Sequence, residues 1–229
     1  TFLAVTGSDG KTTTAHLAHA LLAAEYGDGR VGMGGNMGLP LITRLCGKGP
    51  DDFTVAELSS FQLMTPMRPP ARAVITNLSE NHLNWHRDMA EYVAAKRSLL
   101  APGTAAVLNA ENPYTAAFAR ERENPADCVF SSFRDTRVLR AAFPGRHTLT
   151  MEGDILRLDG AEILPRAALR LPGVHNAENF LAALGLVYPY LSDPVQACRT
   201  VAATFEGVRH RLEVAGRAGG VHYYNSSID

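Results

Sequence analysis

The run Thr6-Gly-Ser-Asp-Gly-Lys-Thr-Thr-Thr14 constrains this chain more than any other stretch. An apolar segment, Phe2-Leu-Ala-Val5, precedes it, and an alanine- and leucine-rich amphipathic stretch follows from Ala15 to Ala23. A buried strand, a glycine turn and a helix N-terminus in that order commit the fold to an α/β unit with a cradle at the strand's carboxyl end. There, successive backbone N–H groups and the positive helix end hold an anion. Gly7, Ser8, Asp9 and Gly10 would line the cradle, and Lys11 would reach the outer phosphates. A hydroxyl of Thr12 or Thr13 would sit near Mg²⁺. The general phosphate-loop pattern places four residues between its glycines, whereas Gly7 and Gly10 have two, so this is a shortened variant. The bland alternative is a glycine turn beside a surface lysine. ATP is the expected ligand.

Composition bounds the rest. With 229 residues and 46% hydrophobic content, the chain can bury a sizeable core. A net charge of −1 gives no reason to expect nucleic acid or a membrane surface as partner. Cys46, Cys128 and Cys198 are widely spaced and form no CxxC pair, which fits a reduced cytoplasm better than a disulfide framework. No apolar run approaches a spanning helix in length, and no signal peptide is visible. The chain opens at Thr1 almost directly on a strand, and it reads as a piece of a longer protein.

Beyond the loop, short apolar runs at 53–57, 71–76, 104–109 and 128–131 read as buried strands. Helical patterns at 37–46, 89–100 and 112–123 alternate with them. The expected class is therefore α/β, a phosphate-loop type of mostly parallel sheet flanked by helices. Between residues 147 and 171 the pattern changes to strict alternation at 147–151, 154–158 and 161–164, broken at Glu152-Gly153 and Asp159-Gly160. That predicts a small antiparallel meander. Two helices should follow, at 176–191 and 193–205, and then a β-like tail over 214–224.

Glu57 ends an apolar strand, where an acid usually faces the ligand crevice of an open α/β sheet. Its carboxylate could hold Mg²⁺, or it could merely cap the next helix. Ser59 and Ser60 follow it and could donate to phosphate or to metal-bound water. The segment Thr76-Asn-Leu-Ser-Glu-Asn-His-Leu-Asn-Trp-His86 should meet the same sheet edge, with His82 either a site residue or a packed ring. By spacing alone, Lys96 in Glu91-Tyr-Val-Ala-Ala-Lys-Arg97 is a solvated helix lysine.

Taken in order, these pieces resemble the central, ATP-binding domain of the Mur ligases, the ATP-dependent amide-forming enzymes of peptidoglycan synthesis. The matching segments are Thr6-Gly-Ser-Asp-Gly-Lys-Thr-Thr13, Gly35-Asn-Met-Gly38, Glu57-Leu-Ser-Ser-Phe-Gln-Leu63 and Asn81-His-Leu-Asn-Trp-His86. Ala94-Ala-Lys96, Gly173-Val-His-Asn-Ala-Glu-Asn179 and Arg209-His-Arg-Leu-Glu213 complete the series, which spans nearly the whole chain. The Glu57 block looks most like that of the family member that adds D-glutamate.

The resemblance implies that Lys11 binds ATP phosphates, with Thr12 and Thr13 beside phosphate and Mg²⁺, and that Asn36 and Ser59 lie close to the nucleotide and metal. Glu57 and His82 match Mg²⁺ ligands, two ions being expected. Lys96 matches a lysine that carries a carbamate, which makes it carboxylate-like and a metal ligand. Asn176 and Asn179 match residues beside the adenine, and Arg211 an arginine at a hinge. The implied partners are UDP-N-acetylmuramoyl-L-alanine and D-glutamate, joined through an acyl phosphate by a cytoplasmic monomer. Residues 1–206 would be the central domain, and 207–229 the hinge and first strand of a C-terminal domain, with the N-terminal UDP-binding domain outside this chain. Several positions depart from the family pattern. Asp9 replaces a frequent asparagine, Asn81 and Asn84 replace aspartates, and Ser226 and Ile228 replace an aspartate and a lysine. Other expectations stay open: another Mur ligase, a folylpolyglutamate synthetase relative, a non-catalytic nucleotide-binding relative, or a phosphate-loop kinase.

Overall fold

A computed structural model describes residues 1–36, 40–80, 85–208 and 213–225. Eleven strands and eight α-helices alternate along the described chain. The first strand, β1 (Phe2–Thr6), is apolar and almost wholly buried. It leads through the glycine turn into α1 (Lys11–Tyr26). Thr14, Ala15, Leu17, Ala18, Leu21 and Leu22 of α1 recur at helical spacing and form its buried stripe. The helix stops at Gly27, whose φ of 84° suits glycine and whose N–H donates to the Ala23 carbonyl at 2.8 Å.

The remaining strands of the main sheet are β2 (Val31–Gly35), β3 (Phe53–Glu57), β4 (Arg72–Ile75), β5 (Ala105–Asn109), β6 (Cys128–Ser131), β7 (His147–Glu152), β8 (Ile155–Leu158) and β9 (Ala161–Pro165). Their order is β2-β3-β1-β4-β5-β6-β7-β8-β9. All pairs through β6–β7 are parallel, and β7–β8 and β8–β9 are antiparallel. The expected parallel sheet and antiparallel meander are thus both present, and the meander extends the main sheet as its far edge. Its first turn falls one residue later than the sequence suggests. Gly153 and Asp154 both have positive φ, and so do Asp159 and Gly160, the conformation that two-residue hairpin turns require. Glu152 therefore stays in β7, and its carboxylate accepts from the backbone N–H of Thr136 at 2.8 Å.

The helices are α2 (Leu41–Leu45), α3 (Ser60–Leu63), α4 (Met89–Arg97), α5 (Pro113–Glu121), α6 (Thr136–Ala142), α7 (Val174–Val187) and α8 (Pro194–Thr204). Only part of the helix expected at 37–46 lies in the described residues, where it begins after Pro40. The helix expected to run to 191 instead tightens into a 3₁₀ turn at Tyr188–Tyr190, because Pro189 has no N–H for an α-helical bond. Strand β2 and helices α3 and α6 are not evident in the sequence: β2 is three-fifths glycine, and the two helices are short.

Alternation along the strands sorts the core into two layers. Leu3, Val5, Val74, Val107, Cys128 and Phe130 pack under α1, α7 and α8, with Leu17, Leu21, Phe180 and Leu184 among their partners. Ala4, Ala56 and Ala73 face the other side with Leu63 and Leu99, and Ile75, Leu108 and Val129 do so with Tyr92, Phe118 and Leu139. Strands β10 (Glu213–Ala218) and β11 (Val221–Asn225) pair with each other in a separate two-stranded sheet. No described helix is long and apolar enough to cross a membrane.

Candidate nucleotide site

Strand β1 lies between β3 and β4, and the chain leaves β1 toward β2 on one side and leaves β3 toward β4 on the other. A crevice opens at such a switch point in an open parallel sheet. The glycine turn after β1, the carboxylate at the end of β3 and the loop after β4 all converge there.

The turn is held from below by the β4 loop. Ser8 N–H donates to the Asn77 carbonyl at 2.9 Å, and Asp9 N–H donates to Asn77 Oδ1 at 2.9 Å. The Thr76 hydroxyl donates to the Asp9 carbonyl at 2.6 Å. Ser8 Oγ donates to the Ser79 carbonyl at 3.1 Å and accepts from Ser79 N–H at 2.9 Å. Two glycines are sterically required. A Cβ on Gly7 would come within 1.9 Å of Thr76 Oγ1. On Gly10, at φ 76°, it would come within 2.2 Å of Asn179 Oδ1. Gly10 is also the N-cap of α1, with no side chain capping the helix, so the first turn keeps its positive end open to an anion. Lys11 Nζ donates to the Ser8 carbonyl at 2.9 Å and so folds back over the turn. Thr12 and Thr13 are half-buried in the first turn of α1.

Asn176 and Asn179, in the first turns of α7, brace the cradle. Thr14 Oγ1 donates to Asn179 Oδ1 at 3.4 Å, Asn179 Nδ2 donates to Asn176 Oδ1 at 3.3 Å, and Asn176 Nδ2 donates to the Pro172 carbonyl at 2.7 Å.

Glu57 is 2% exposed, and its two oxygens differ. Oε1 accepts from Asn36 Nδ2 at 3.3 Å, whereas Oε2 is buried without a hydrogen-bond partner. A buried carboxylate oxygen left unpaired is costly, so a cation at this position would remove a penalty that the protein alone carries. Asn36 N–H also donates to the Glu57 carbonyl at 2.9 Å, and a Cβ on Gly35 would sit 2.2 Å from that same oxygen. Glu57 is not the cap of the following helix. That role belongs to Ser59, whose Oγ accepts from Gln62 N–H at 3.3 Å while Gln62 Oε1 accepts from Ser59 N–H at 2.9 Å.

Lys96 is 1% exposed, so the solvated reading of this lysine does not hold. Helix α4 aims it inward, where Nζ donates to the Gly7 carbonyl at 2.9 Å and to Thr6 Oγ1 at 3.2 Å. Burial, followed by the Lys11 ammonium, pushes its pKa down to about 7 against the pull of the Glu57 carboxylate. Lys11, Lys96 and Glu57 therefore share one electrostatic environment. Among the described residues no group of three or more His, Cys, Asp or Glu side chains gathers. One carboxylate with hydroxyls, water and nucleotide oxygens is a donor set that suits Mg²⁺ at a phosphate site. His82 and Arg211 lie outside the described residues, as do Asn81, Asn84, Ser226 and Ile228.

Thr76, Asn77 and Ser79 come from the segment expected to meet this sheet edge, and the structure adds Tyr92 to the residues expected at the site. Tyr92 is fully buried, with its hydroxyl 2.9 Å from Ser8 Oγ and its ring centroid 4.8 Å from Lys96 Nζ. Its place four residues before Lys96 on one helix was the available signal.

Comparison with known proteins gives this geometry a context. The family model described as the Mur ligase middle domain matches residues 5–187. A UDP-N-acetylmuramoylalanine–D-glutamate ligase of Acetivibrio thermocellus is 42% identical over 98% of this chain and 47% of its own length. The protein of the same name from Ruminiclostridium cellulolyticum is 38% identical over 99% of this chain and 47% of its own length. The chain thus spans about half the length of these curated relatives. Among solved structures, a UDP-N-acetylmuramoyl-L-alanyl-D-glutamate–2,6-diaminopimelate ligase superposes with a TM-score of 0.71 at 22% identity, covering 95% of this chain and 48% of that one. A UDP-N-acetylmuramate–alanine ligase from Thermotoga maritima gives 0.63 at 23% identity, covering 99% and 50%. These two share the fold. The family match across most of the sequence and the level of identity to the curated relatives establish that the chain belongs to the Mur ligase family, whose middle domain it carries.

Proposed function

We propose that this chain is the ATP-binding core of a ligase that joins D-glutamate to UDP-N-acetylmuramoyl-L-alanine in peptidoglycan synthesis. The observation that carries the reading is the unpartnered Glu57 Oε2, buried beside an open helix N-terminus and two lysines. The acceptor rests on the names of the curated relatives and on the Glu57-Leu-Ser-Ser-Phe-Gln-Leu63 block.

In the proposed reaction the substrate carboxylate attacks the γ-phosphorus of ATP, the bond to the bridging oxygen breaks, and ADP leaves. The D-glutamate amine then attacks the acyl phosphate carbon, loses a proton and expels phosphate. Two anions must meet in the first step, so positive charge has to be placed in advance. Lys11 would reach the outer phosphates from the turn, and the backbone N–H groups of residues 10–13 would receive them. Glu57, with Thr12 and Thr13 and with His82, would hold Mg²⁺. When bound, the ion would neutralise phosphate charge as it builds. Burial lowers the Lys96 pKa to about 7, which favours the free amine far more than an exposed lysine would near neutral pH. That form adds CO₂ with loss of a proton to give a carbamate, which would supply a second carboxylate-like group opposite Glu57.

We further propose that residues 1–206 form the central domain and that the β10–β11 hairpin begins the next one, since it pairs only with itself among the described strands. A cytoplasmic monomer is the form proposed for the whole protein. The test is phosphate release by the full gene product. Turnover should require ATP, Mg²⁺, UDP-N-acetylmuramoyl-L-alanine and D-glutamate together, and Lys11→Ala should lower it by about 10²–10³. Wild-type turnover in that variant, or turnover with a different amino acid only, overturns the reading. Labelled bicarbonate should give a carbamate carbonyl resonance that disappears in Lys96→Met.

A further inference from the structure

His86 is 3% exposed and packs between the start of α3, just after Glu57, and the start of α4, which carries Lys96. Its Nε2 lies 2.8 Å from the Oγ of Ser60, which is itself buried on the turn that follows Glu57. Tyr92 packs edge-on against its ring with centroids 5.4 Å apart, and Phe61 stacks on it at 5.4 Å with planes 2° apart. Tyr92 carries the contact onward, to Ser8 Oγ of the cradle at 2.9 Å through its hydroxyl and to Lys96 Nζ at 4.8 Å through its ring face. Glu91 Oε2 lies 3.6 Å from His86 Nδ1. That is beyond hydrogen-bonding length, so among the described residues the Ser60 hydroxyl is the hydrogen-bond partner of the buried ring.

We propose that His86 and Tyr92 act as a positioning pair that holds the Glu57 turn, the Lys96 helix and the glycine cradle in register for phosphate transfer. A leucine would fill the His86 position without burying a polar ring. A hydrogen-bonded ring instead fixes one orientation, and satisfied buried polar contacts specify geometry in this way. Flat, stiff side chains also transmit position between backbones with little rotamer freedom. Each residue acts through a neighbour: His86 through Ser60 and Tyr92, and Tyr92 through Ser8 and Lys96. The inference rests on the reading of the crevice as an ATP site.

The test uses the full gene product carrying His86→Leu, His86→Gln, Tyr92→Phe and the His86→Leu/Tyr92→Phe pair, with thermal unfolding, MgATP affinity, kcat and KM measured for each. Tyr92→Phe keeps the ring and should unfold as the wild type does, while its KM for ATP rises about two- to tenfold from loss of the Ser8 contact. His86→Leu should lower kcat by about tenfold, His86→Gln should recover part of that loss, and the double variant should be no worse than His86→Leu, as coupled neighbours behave. Additive losses, activity that tracks only the folded fraction, or single variants within about twofold of wild type overturn the proposal. Lys11→Ala separates it from the parent reading. If that variant binds MgATP as the wild type does, the nucleotide site fails and the positioning role with it. If binding is lost there while the His86 and Tyr92 variants match wild type, only the positioning role falls.

Discussion

At the scale of single residues, two buried charges at the crevice work against stability. Lys96 has its pKa lowered to about 7 from the ordinary lysine value, chiefly by burial. Between that pH and the unfolded value near 10.5, the unfolded chain binds the extra proton, so stability rises with pH across this window and is flat below it. Lys96→Met should therefore be more stable than wild type at pH 6 and should lose that advantage by pH 9–10, by a few kcal/mol in denaturant titrations, approximately what the shift implies. The same variant should lose activity, since sites commonly trade stability for function. Glu57→Gln keeps the shape of the carboxylate and removes its charge. It should leave the fold intact and lower Mg²⁺-dependent turnover by about 10²–10³, with a weakened Mg²⁺ response as the readout. The two residues differ in how far the sequence exposed them. Glu57 was legible because an acid at the end of an apolar strand has few places to go. The burial of Lys96 was not, because a lysine on an alanine-rich helix face looks the same whether that face meets solvent or a strand end.

At the scale of elements, the junction of α1 with α7 decides whether the cradle has its shape. Gly10→Ala must accommodate both a positive φ and a Cβ 2.2 Å from Asn179 Oδ1. It should weaken MgATP binding by about tenfold or more. Asn179→Ala combined with it should restore only part of the loss, since opening space leaves the backbone strain, and calorimetric titration of both variants checks this. Further along α7, Arg72 ties the far end of the helix to the sheet. Its guanidinium donates to the Gly185 carbonyl at 2.7 Å, the Ala126 carbonyl at 3.0 Å and Cys128 Sγ at 3.1 Å, and it lies 5.3 Å from the Tyr188 ring centroid. Arg72→Ala leaves the buried Gly185 carbonyl and the part-buried Ala126 carbonyl without these donors and opens a cavity, which should cost about 2–4 kcal/mol in denaturant unfolding. The start of α1 was readable from glycine, lysine and threonines in a row. An arginine inside β4 gave no such signal, because its partners come from 54 to 113 residues away.

At the scale of the whole molecule, the nine-stranded sheet is one unit and the β10–β11 hairpin pairs apart from it. If residues 207–229 belong to a following domain, removing residues from 213 onward should leave the unfolding midpoint of the remainder little changed, as differential scanning calorimetry would read. The sequence by itself determined the α/β alternation apart from β2, α3 and α6, together with the glycine turn before α1 and the antiparallel run after His147. These are local matters: periodicity, glycine placement and turn chemistry act over a few residues. Only the tertiary structure decided which residues meet at the crevice. The placement of β1 between β3 and β4 brings Lys11, Glu57, Lys96 and Asn179 to one edge, and it leaves Glu57 Oε2 without a partner and Lys96 without solvent. Desolvation and long-range pairing depend on what packs above a residue, and no short window of sequence holds that information.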